Sequence, residues 1–141
     1  MTLSVHLTFP GTCADAFRFY ERVLDGKRLA LFTYRESPTA ADVPPEWRDK
    51  IVHAGITIGG EQLAGADVPT ADYVRPRGFF LLVSVDDRAA AERVFTALAD
   101  GGVVQMPLER TFWSPAFGVV VDRFGVPWEV SAAQEVSGAR G

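Results

Sequence analysis

Short apolar runs, turn signals and two amphipathic stretches alternate along this chain. The run Val5–Phe9 ends at Pro10-Gly11, which predicts a strand closed by a turn. Apolar side chains then recur at helical spacing in the segment that follows. We therefore predict a first helix with Thr12 as its N-cap and Asp25-Gly26 at its end, where the glycine is free to adopt the left-handed conformation.

Three further strands complete the first half of the chain. They are predicted over Arg28–Tyr34, Ile51–Ile58 and Gln62–Ala66, and the last two are joined by a tight turn at Gly59-Gly60. Before the second of them, the proline-rich segment Glu36–Lys50 predicts an extended loop. The order of elements in this half is β-α-β-β-β.

The second half follows the same order. Its strand, helix and three further strands are predicted over Phe79–Val85, Ala89–Ala99, Val103–Leu108, Phe117–Asp122 and Pro127–Ser131. Asp86 or Asp87 is the expected N-cap of the helix, and Gly101-Gly102 ends it.

A shift of the sequence against itself indicates a duplication. Moving the first strand and helix by 75 positions places Val5 on Phe80, and moving the third and fourth strands by 65 positions places Ala64 on Glu129. The fold class predicted from this pattern is α+β: two tandem β-α-β-β-β units that form a curved mixed sheet, a half-barrel with a ligand groove.

The predicted organisation is a single domain with a tail. The domain spans residues 1–133, with repeat one at about 3–67 and repeat two at about 78–132, and residues 134–141 are expected to be flexible. Because the Glu36–Lys50 loop lies between two strands of the first unit, it is a candidate flap over the groove.

Charge and composition exclude several classes of function. Lys and Arg number 14 against 18 Asp and Glu, a net charge of −4 that disfavours nucleic acid as a partner. No apolar stretch approaches the ~20 residues that span a membrane, and Met1–His6 has no export-signal pattern. Cys13 is the one cysteine, so an intramolecular disulfide is impossible, and we expect a cytoplasmic protein.

Four motifs in order resemble one known family. They are Ala16-Phe17-Arg18-Phe19-Tyr20, Val52-His53-Ala54, Thr111-Phe112-Trp113 and the run from Asp122 to Glu129. Together with the internal repeat they resemble the vicinal oxygen chelate superfamily, which includes glyoxalase I, extradiol dioxygenases and bleomycin-resistance proteins. Within it the chain is similar to the PhnB-like branch, also labelled as a 3-demethylubiquinone methyltransferase-like domain.

The resemblance implies one divalent cation held by four side chains, on the first and last strand of each unit. Carried over to this sequence, the four positions are Val5, Ala64, Phe80 and Glu129. Hydrocarbon side chains do not ligate Mg²⁺, Zn²⁺ or Fe²⁺, so we predict no metal centre and no cofactor. In this register His6 points away from the groove; a shift of one residue would bring it to the Val5 position and leave a poor site of two ligands.

His53 and Glu129 are the candidate catalytic residues. Alternation along the third strand points Ala54 and Ile56 toward the helix and His53 toward the groove. Glu129 faces the groove through its resemblance to a ligand position. A His–carboxylate pair can act as a general acid and base. The alternatives are that His53 only hydrogen-bonds a neighbouring segment and that Glu129 is a polar anchor for a ligand.

Several other side chains are candidates for ligand binding. Arg110 is a candidate partner for an anion, or else a solvated charge. Cys13 lies at a helix N-terminus, where the helix dipole lowers a thiol pKa, but no catalytic partner is visible near it in the sequence, and it is not one of the predicted site residues. Five aromatic residues are candidates for an apolar lining, or alternatively for core or dimer contacts: Phe9, Phe80, Phe112, Trp113 and Phe117.

Two function classes follow from these residues. The first is a small-molecule-binding protein of this fold without the metal site. The second is a lyase, isomerase or dioxygenase that uses His53 and Glu129, with or without a metal. No strand, glycine-rich loop and helix unit supports a methyltransferase cofactor site. The resemblance also implies a homodimer.

Overall fold

The computed structural model describes residues 1–134, so most of the predicted tail lies outside the described residues. Contacts divide the chain into two compact units, Met1–Val74 and a second unit that begins at Arg75. None of the helices within residues 1–134 is long and apolar enough to span a membrane.

The first unit has the predicted β-α-β-β-β order. Its elements are β1 (Val5–Phe9), α1 (Cys13–Val23), β2 (Lys27–Thr33), β3 (Ile51–Ile58) and β4 (Glu61–Asp67). The strands form one sheet in the order β1-β4-β3-β2, in which β1 is parallel to β4 and the other neighbours are antiparallel.

Helix α1 covers one face of this sheet. The Phe9 ring of β1 meets the Phe17 ring of α1 edge to face, with centroids 6.1 Å apart. Gly65 of β4 lies beneath the same ring, because a Cβ there would stand 2.8 Å from Phe17. Ala54 and Ile56 are fully buried, as expected for the helix side of β3. Because Gly65 has no side chain, the helix can pack closely against the sheet at this position.

The start of α1 depends on a carboxylate from β4 and not on the predicted N-cap. The side chain of Thr12 makes no capping hydrogen bond. Instead, Oδ1 of the buried Asp67 accepts hydrogen bonds from the backbone N–H of Gly11 and of Cys13, at 3.0 and 2.9 Å. Its Oδ2 accepts from the backbone N–H of Ile51 at 2.8 Å. One side chain at the end of β4 therefore holds the end of β1, the start of α1 and the start of β3 together.

The end of α1 also differs from the prediction. Asp25, with φ of 53°, adopts the left-handed conformation, and Gly26 does not. Aspartate tolerates this region better than most residues with a side chain, which explains the exchange of roles.

The segment between β2 and β3 is not the extended loop that its prolines suggest. It contains three short 3₁₀ helices, Tyr34–Glu36, Ala40–Asp42 and Pro45–Trp47. The hydroxyl of Tyr34 donates to the backbone carbonyl of Asp67 at 2.9 Å, and Nζ of Lys50 donates to the carbonyl of Gly11 at 3.1 Å. These bonds hold the segment against its own unit; its role as a flap stays a prediction.

The second unit repeats the architecture. Its elements are β5 (Leu81–Val85), α2 (Arg88–Ala99), β6 (Val103–Glu109), β7 (Phe117–Val121) and β8 (Pro127–Ala132). The strand order is β5-β8-β7-β6, with β5 parallel to β8. Asp87 caps α2 as predicted, accepting from the backbone N–H of Ala90 at 2.8 Å.

Part of the motif that begins at Asp122 serves this fold. The buried Asp122 carboxylate accepts from the backbone N–H of Phe124 and Val126 and, at 2.9 Å, from the indole N–H of Trp128. It closes the turn between β7 and β8 and fixes the ring of Trp128 in the core. The predicted α+β class is confirmed, with two open, four-stranded mixed sheets that each carry one helix.

Candidate functional site

Each sheet has one face under its helix and one face turned away from it, which we call the open face. Leu7 and Phe9 of β1 are buried on the helix side, so alternation puts His6 on the open face of the first sheet. His6 pairs with Ala64 of β4, which in turn pairs with Gly55 of β3. The open face of the first sheet is therefore lined beside His6 by small residues.

This register corrects the sequence prediction for the first strand. Val5 pairs with Leu63, which is buried, and both lie on the helix side. The expectations that Val5 faces the groove and that His6 points away from it are therefore wrong. The alternation of large apolar residues at positions 7 and 9 with polar ones at 6 and 8 was the signal that favoured the correct register.

The second unit shows why the repeat misled. In it Leu81 pairs with Trp128 and Leu82 with Glu129. The shift of 65 places Leu63 on Trp128. Because Val5 pairs with Leu63 and Leu81 pairs with Trp128, the counterpart of Val5 is Leu81, and Phe80 precedes the strand. The second unit has one residue fewer between its first strand and its helix, so the shift that aligns the helices misaligns the strands by one position.

With the corrected register, each unit offers one donor where the resemblance implies two. His6 stands beside the methyl group of Ala64, and Glu129 stands beside the isobutyl group of Leu82. Among residues 1–134, no three His, Cys, Asp or Glu side chains cluster closely enough to hold a metal ion. One imidazole and one carboxylate do not fit the four-donor centre that the family resemblance implies.

Glu129 occupies an apolar strip on the open face of the second sheet. Its strand neighbours in the same row are Leu82 on β5 and Val119 on β7, and Val119 pairs in turn with Met106 on β6. Glu129 is half-buried, and it forms no hydrogen bond or ion pair with any residue in the described part of the chain. A carboxylate without a donor in apolar surroundings is unfavourable, so a bound group that donates a hydrogen bond would stabilise it.

Three of the predicted aromatic residues do come together at one end of this face. The Trp113 ring lies edge-on to Phe117 of β7, with centroids 5.2 Å apart, and Phe112 lies edge-on to Trp113 at 4.9 Å. Phe117 is buried, whereas Phe112 is 92% exposed. The loop that carries the two outer rings is anchored by Ser114, whose hydroxyl donates to the carbonyl of Ala132 at 2.8 Å. A fixed loop thus presents aromatic surface to solvent.

The other predicted site residues belong to both units. Phe9 is buried against Phe17 in the core of the first unit, so the expectation that it lines a groove is wrong. Phe80 is partly exposed ahead of β5, and Arg110 is exposed on the second unit. His53 is exposed on the first unit and Glu129 belongs to the second, so their joint action stays a prediction.

The thiol of Cys13 behaves in the opposite way to the expectation. Its side chain is fully buried, and burial, followed by the charge of the nearby Asp67 carboxylate, raises the pKa of the thiol well above its ordinary value. The effect of the helix dipole is outweighed because no solvent reaches the sulfur. Cys13 is a core residue of the first unit.

Two tandem β-α-β-β-β units, each with an open sheet face, are typical of one class of proteins, which is named after glyoxalases, bleomycin-resistance proteins and dioxygenases. The chain belongs to the Glyoxalase/Bleomycin resistance protein/Dioxygenase superfamily, whose model matches residues 5–130. The earlier resemblance to this family is therefore confirmed.

Individual relatives agree with this assignment. The chain is 32% identical over 143 residues to protein YjdN of Escherichia coli, covering 96% of this chain and 97% of YjdN. It is similar to protein PA1353 of Pseudomonas aeruginosa, with 40% identity, a TM-score of 0.84, and 96% and 99% of the two chains covered. It has the fold of the PhnB protein of Bacillus cereus, with 24% identity, a TM-score of 0.81, and 94% and 100% covered.

Proposed function

We propose that this protein binds a small organic molecule on the open face of its second sheet and works without the cation of its superfamily. The observation that carries the proposal is the position of Glu129, a half-buried carboxylate in a row of Leu82, Val119 and Met106 that finds no hydrogen-bond donor among residues 1–134. Apolar surroundings with one well-placed polar group are typical of small-molecule sites.

The chemistry of the face favours a ligand that is aromatic or apolar and carries a hydrogen-bond donor. The donor, an ammonium or an N–H group, would pair with Glu129, and the body of the ligand would cover Leu82 and Met106, the exposed apolar residues of the row. The exposed rings of Phe112 and Trp113 at the end of the face add aromatic surface at low cost in side-chain entropy. The homodimer and the cytoplasmic location stay predictions.

A ligand titration observed by NMR tests the role of Glu129. Benzylamine and tryptamine are added to labelled protein, and we expect saturable shifts of the amide resonances of Leu82, Glu129 and Trp113. Glu129→Gln removes the charge at constant shape and should weaken binding at least about tenfold, the usual effect of losing a charged hydrogen bond. Glu61→Gln, an exposed glutamate on β4, is the matched control and should change nothing.

Two results would count against this role. One is the absence of saturable shifts on the open face with both amines and with their neutral analogues. The other is a Glu129→Gln variant that binds as tightly as the wild type.

Metal content provides a separate test of the inference that each unit has one metal-ligating side chain in place of two. Protein purified without chelator should contain well under about one-tenth of an equivalent of Zn, Ni, Mn or Fe, because each unit supplies one donor in place of two. Inductively coupled plasma mass spectrometry measures this directly, and the His6→Ala variant should give the same value. Close to one equivalent of a single metal in the wild type, lost in His6→Ala, would refute the prediction.

A further inference from the structure

A cleft of about 350 Å³ lies at the start of the second unit, on the same sheet face as Glu129 but one row of residues further along the strands. Its floor is the end of the second sheet, where Val121 of β7 pairs with both Val103 of β6 and Pro127 of β8. The segment from Arg75 to Phe80, which leads into β5, forms its wall. This volume is within the range of small-ligand sites.

The charged groups that line the cleft are all of one sign. Arg75 and Arg77 contribute two guanidinium groups, and no Asp or Glu is among the lining residues. Within the described residues, neither arginine forms an ion pair or a hydrogen bond. In a chain with a net charge of −4, this is a local positive site in an acidic protein. Two guanidinium groups that line one cleft repel each other, and a bound anion would relieve that repulsion.

The remaining lining of the cleft is apolar, with one amide. Phe79 and Phe80 are 44% and 43% exposed, unusually high for phenylalanine, and they leave aromatic surface available beside the two arginines. Gln105 adds a side chain that can both donate and accept hydrogen bonds.

We infer that this cleft binds a small organic anion. Arg75 and Arg77 would hold its carboxylate or phosphate group, and an aromatic or aliphatic body would lie against Phe79, Phe80 and the strand ends. Arginine suits this role because its planar fork pairs with two oxygens of such a group at once. The inference does not depend on the function proposed above, because neither Glu129 nor the aromatic residues of the Phe112–Phe117 loop line the cleft.

NMR titration with four probes tests the inference. Phenylphosphate and phenylacetate carry both an anionic group and a ring, benzyl alcohol carries the ring alone, and inorganic phosphate carries the anion alone. We expect the first two to cause saturable shifts at the amides of Gly78, Phe79 and Gln105. Benzyl alcohol and inorganic phosphate should bind at least about tenfold more weakly, since each lacks one half of the interaction.

Charge-removing variants provide the control. The double variant Arg75→Gln, Arg77→Gln should weaken phenylphosphate binding at least about tenfold, and the affinity of the wild type should fall as salt is raised. Arg93→Gln removes an exposed arginine from α2 and should leave the affinity unchanged. Both arginines of the cleft are exposed, so loss of folding is not expected in the double variant.

Three outcomes would overturn the inference. They are the absence of shifts at these amides at about 20 mM phenylphosphate, well above the concentration that fills a weak specific site; equal affinity for benzyl alcohol and phenylphosphate; and unchanged affinity in the double variant. Glu129→Gln separates the two proposals. Anion binding should persist in that variant, and its loss would show that the anion occupies the Glu129 row and not the cleft.

Discussion

Replacing Asp67 with alanine is expected to lower the free energy of unfolding by about 3–5 kcal/mol, a large part of the stability of an ordinary domain. The substitution leaves the backbone N–H groups of Gly11, Cys13 and Ile51 without their acceptor. Because the Asp67 side chain is buried, water does not readily replace the lost hydrogen bonds. The helix start and the start of β3 should therefore loosen together.

Urea denaturation followed by circular dichroism measures the effect, with Asp72→Ala as the matched control. Asp72 is exposed five positions further along and should tolerate alanine with a change below about 0.5 kcal/mol. Asp67→Asn keeps one acceptor oxygen and should lie between the wild type and Asp67→Ala. If Asp67→Ala and Asp72→Ala unfold at the same urea concentration, Asp67 does not have this role.

The order and type of the elements could be predicted because each depends on local patterns. The apolar run Val5–Phe9, the helical spacing after it and the turn at Gly59-Gly60 are all read within a few residues. The duplication adds a second, independent copy of the same evidence. Agreement between the two halves made the fold class robust to errors at single positions.

The partners of buried polar groups could not be predicted in this way. Asp67 is far in sequence from the three N–H groups that it accepts from, and no local pattern links them. Two other long-range hydrogen bonds, from Tyr34 to the carbonyl of Asp67 and from Lys50 to the carbonyl of Gly11, hold the proline-rich segment against its unit. Propensity alone indicated a loop because it does not contain these contacts.

The prediction of the candidate site depended on the register of the first strand in each unit. The connection from that strand to the helix is one residue shorter in the second unit, and this was enough to shift the predicted register. Side chains alternate along a strand, so an error of one position exchanges the two faces completely. Val5 and His6 changed places for this reason, whereas the correspondence of Ala64 with Glu129 agrees with the strand pairing in both units. The prediction of which side chains lie on the open face therefore depended on the register, whereas the prediction of the fold did not.

The two open faces have diverged more than the two cores. Buried residues at matching helix positions, Ala16 with Ala91 and Tyr20 with Phe95, retain their apolar character. In contrast, the neighbours of His6 on the open face of the first sheet are the small residues Ala64 and Gly55. The neighbours of Glu129 on the second sheet are the larger apolar residues Leu82 and Val119. This asymmetry favours a ligand whose polar and apolar parts are recognised by one unit and not by symmetric halves of a metal centre.

The buried thiol of Cys13 should lower the free energy of unfolding at alkaline pH, compared with the same protein without this thiol. In the folded state, burial and the Asp67 carboxylate raise the pKa of this thiol far above its unfolded value of about 8.5. Above that pH the unfolded chain loses a proton that the folded chain keeps. The contribution is therefore fully present below about pH 8.5 and is lost as the pH rises, by about 1.4 kcal/mol for each further pH unit.

Cys13→Ala isolates this contribution, because the difference between the two proteins removes the titration of all other groups. The variant leaves a small cavity and should be about 1 kcal/mol less stable than the wild type at pH 7. Only the wild type loses stability through this thiol as the pH rises above the thiol pKa of the unfolded chain. The two stability curves should cross where this loss equals the effect of the cavity, about one pH unit above that pKa. Urea denaturation between pH 7 and 10 under reducing conditions measures both curves. A constant difference across that range would mean that the thiol ionises as readily in the folded protein as in the unfolded chain, and that solvent reaches the N-terminal end of α1.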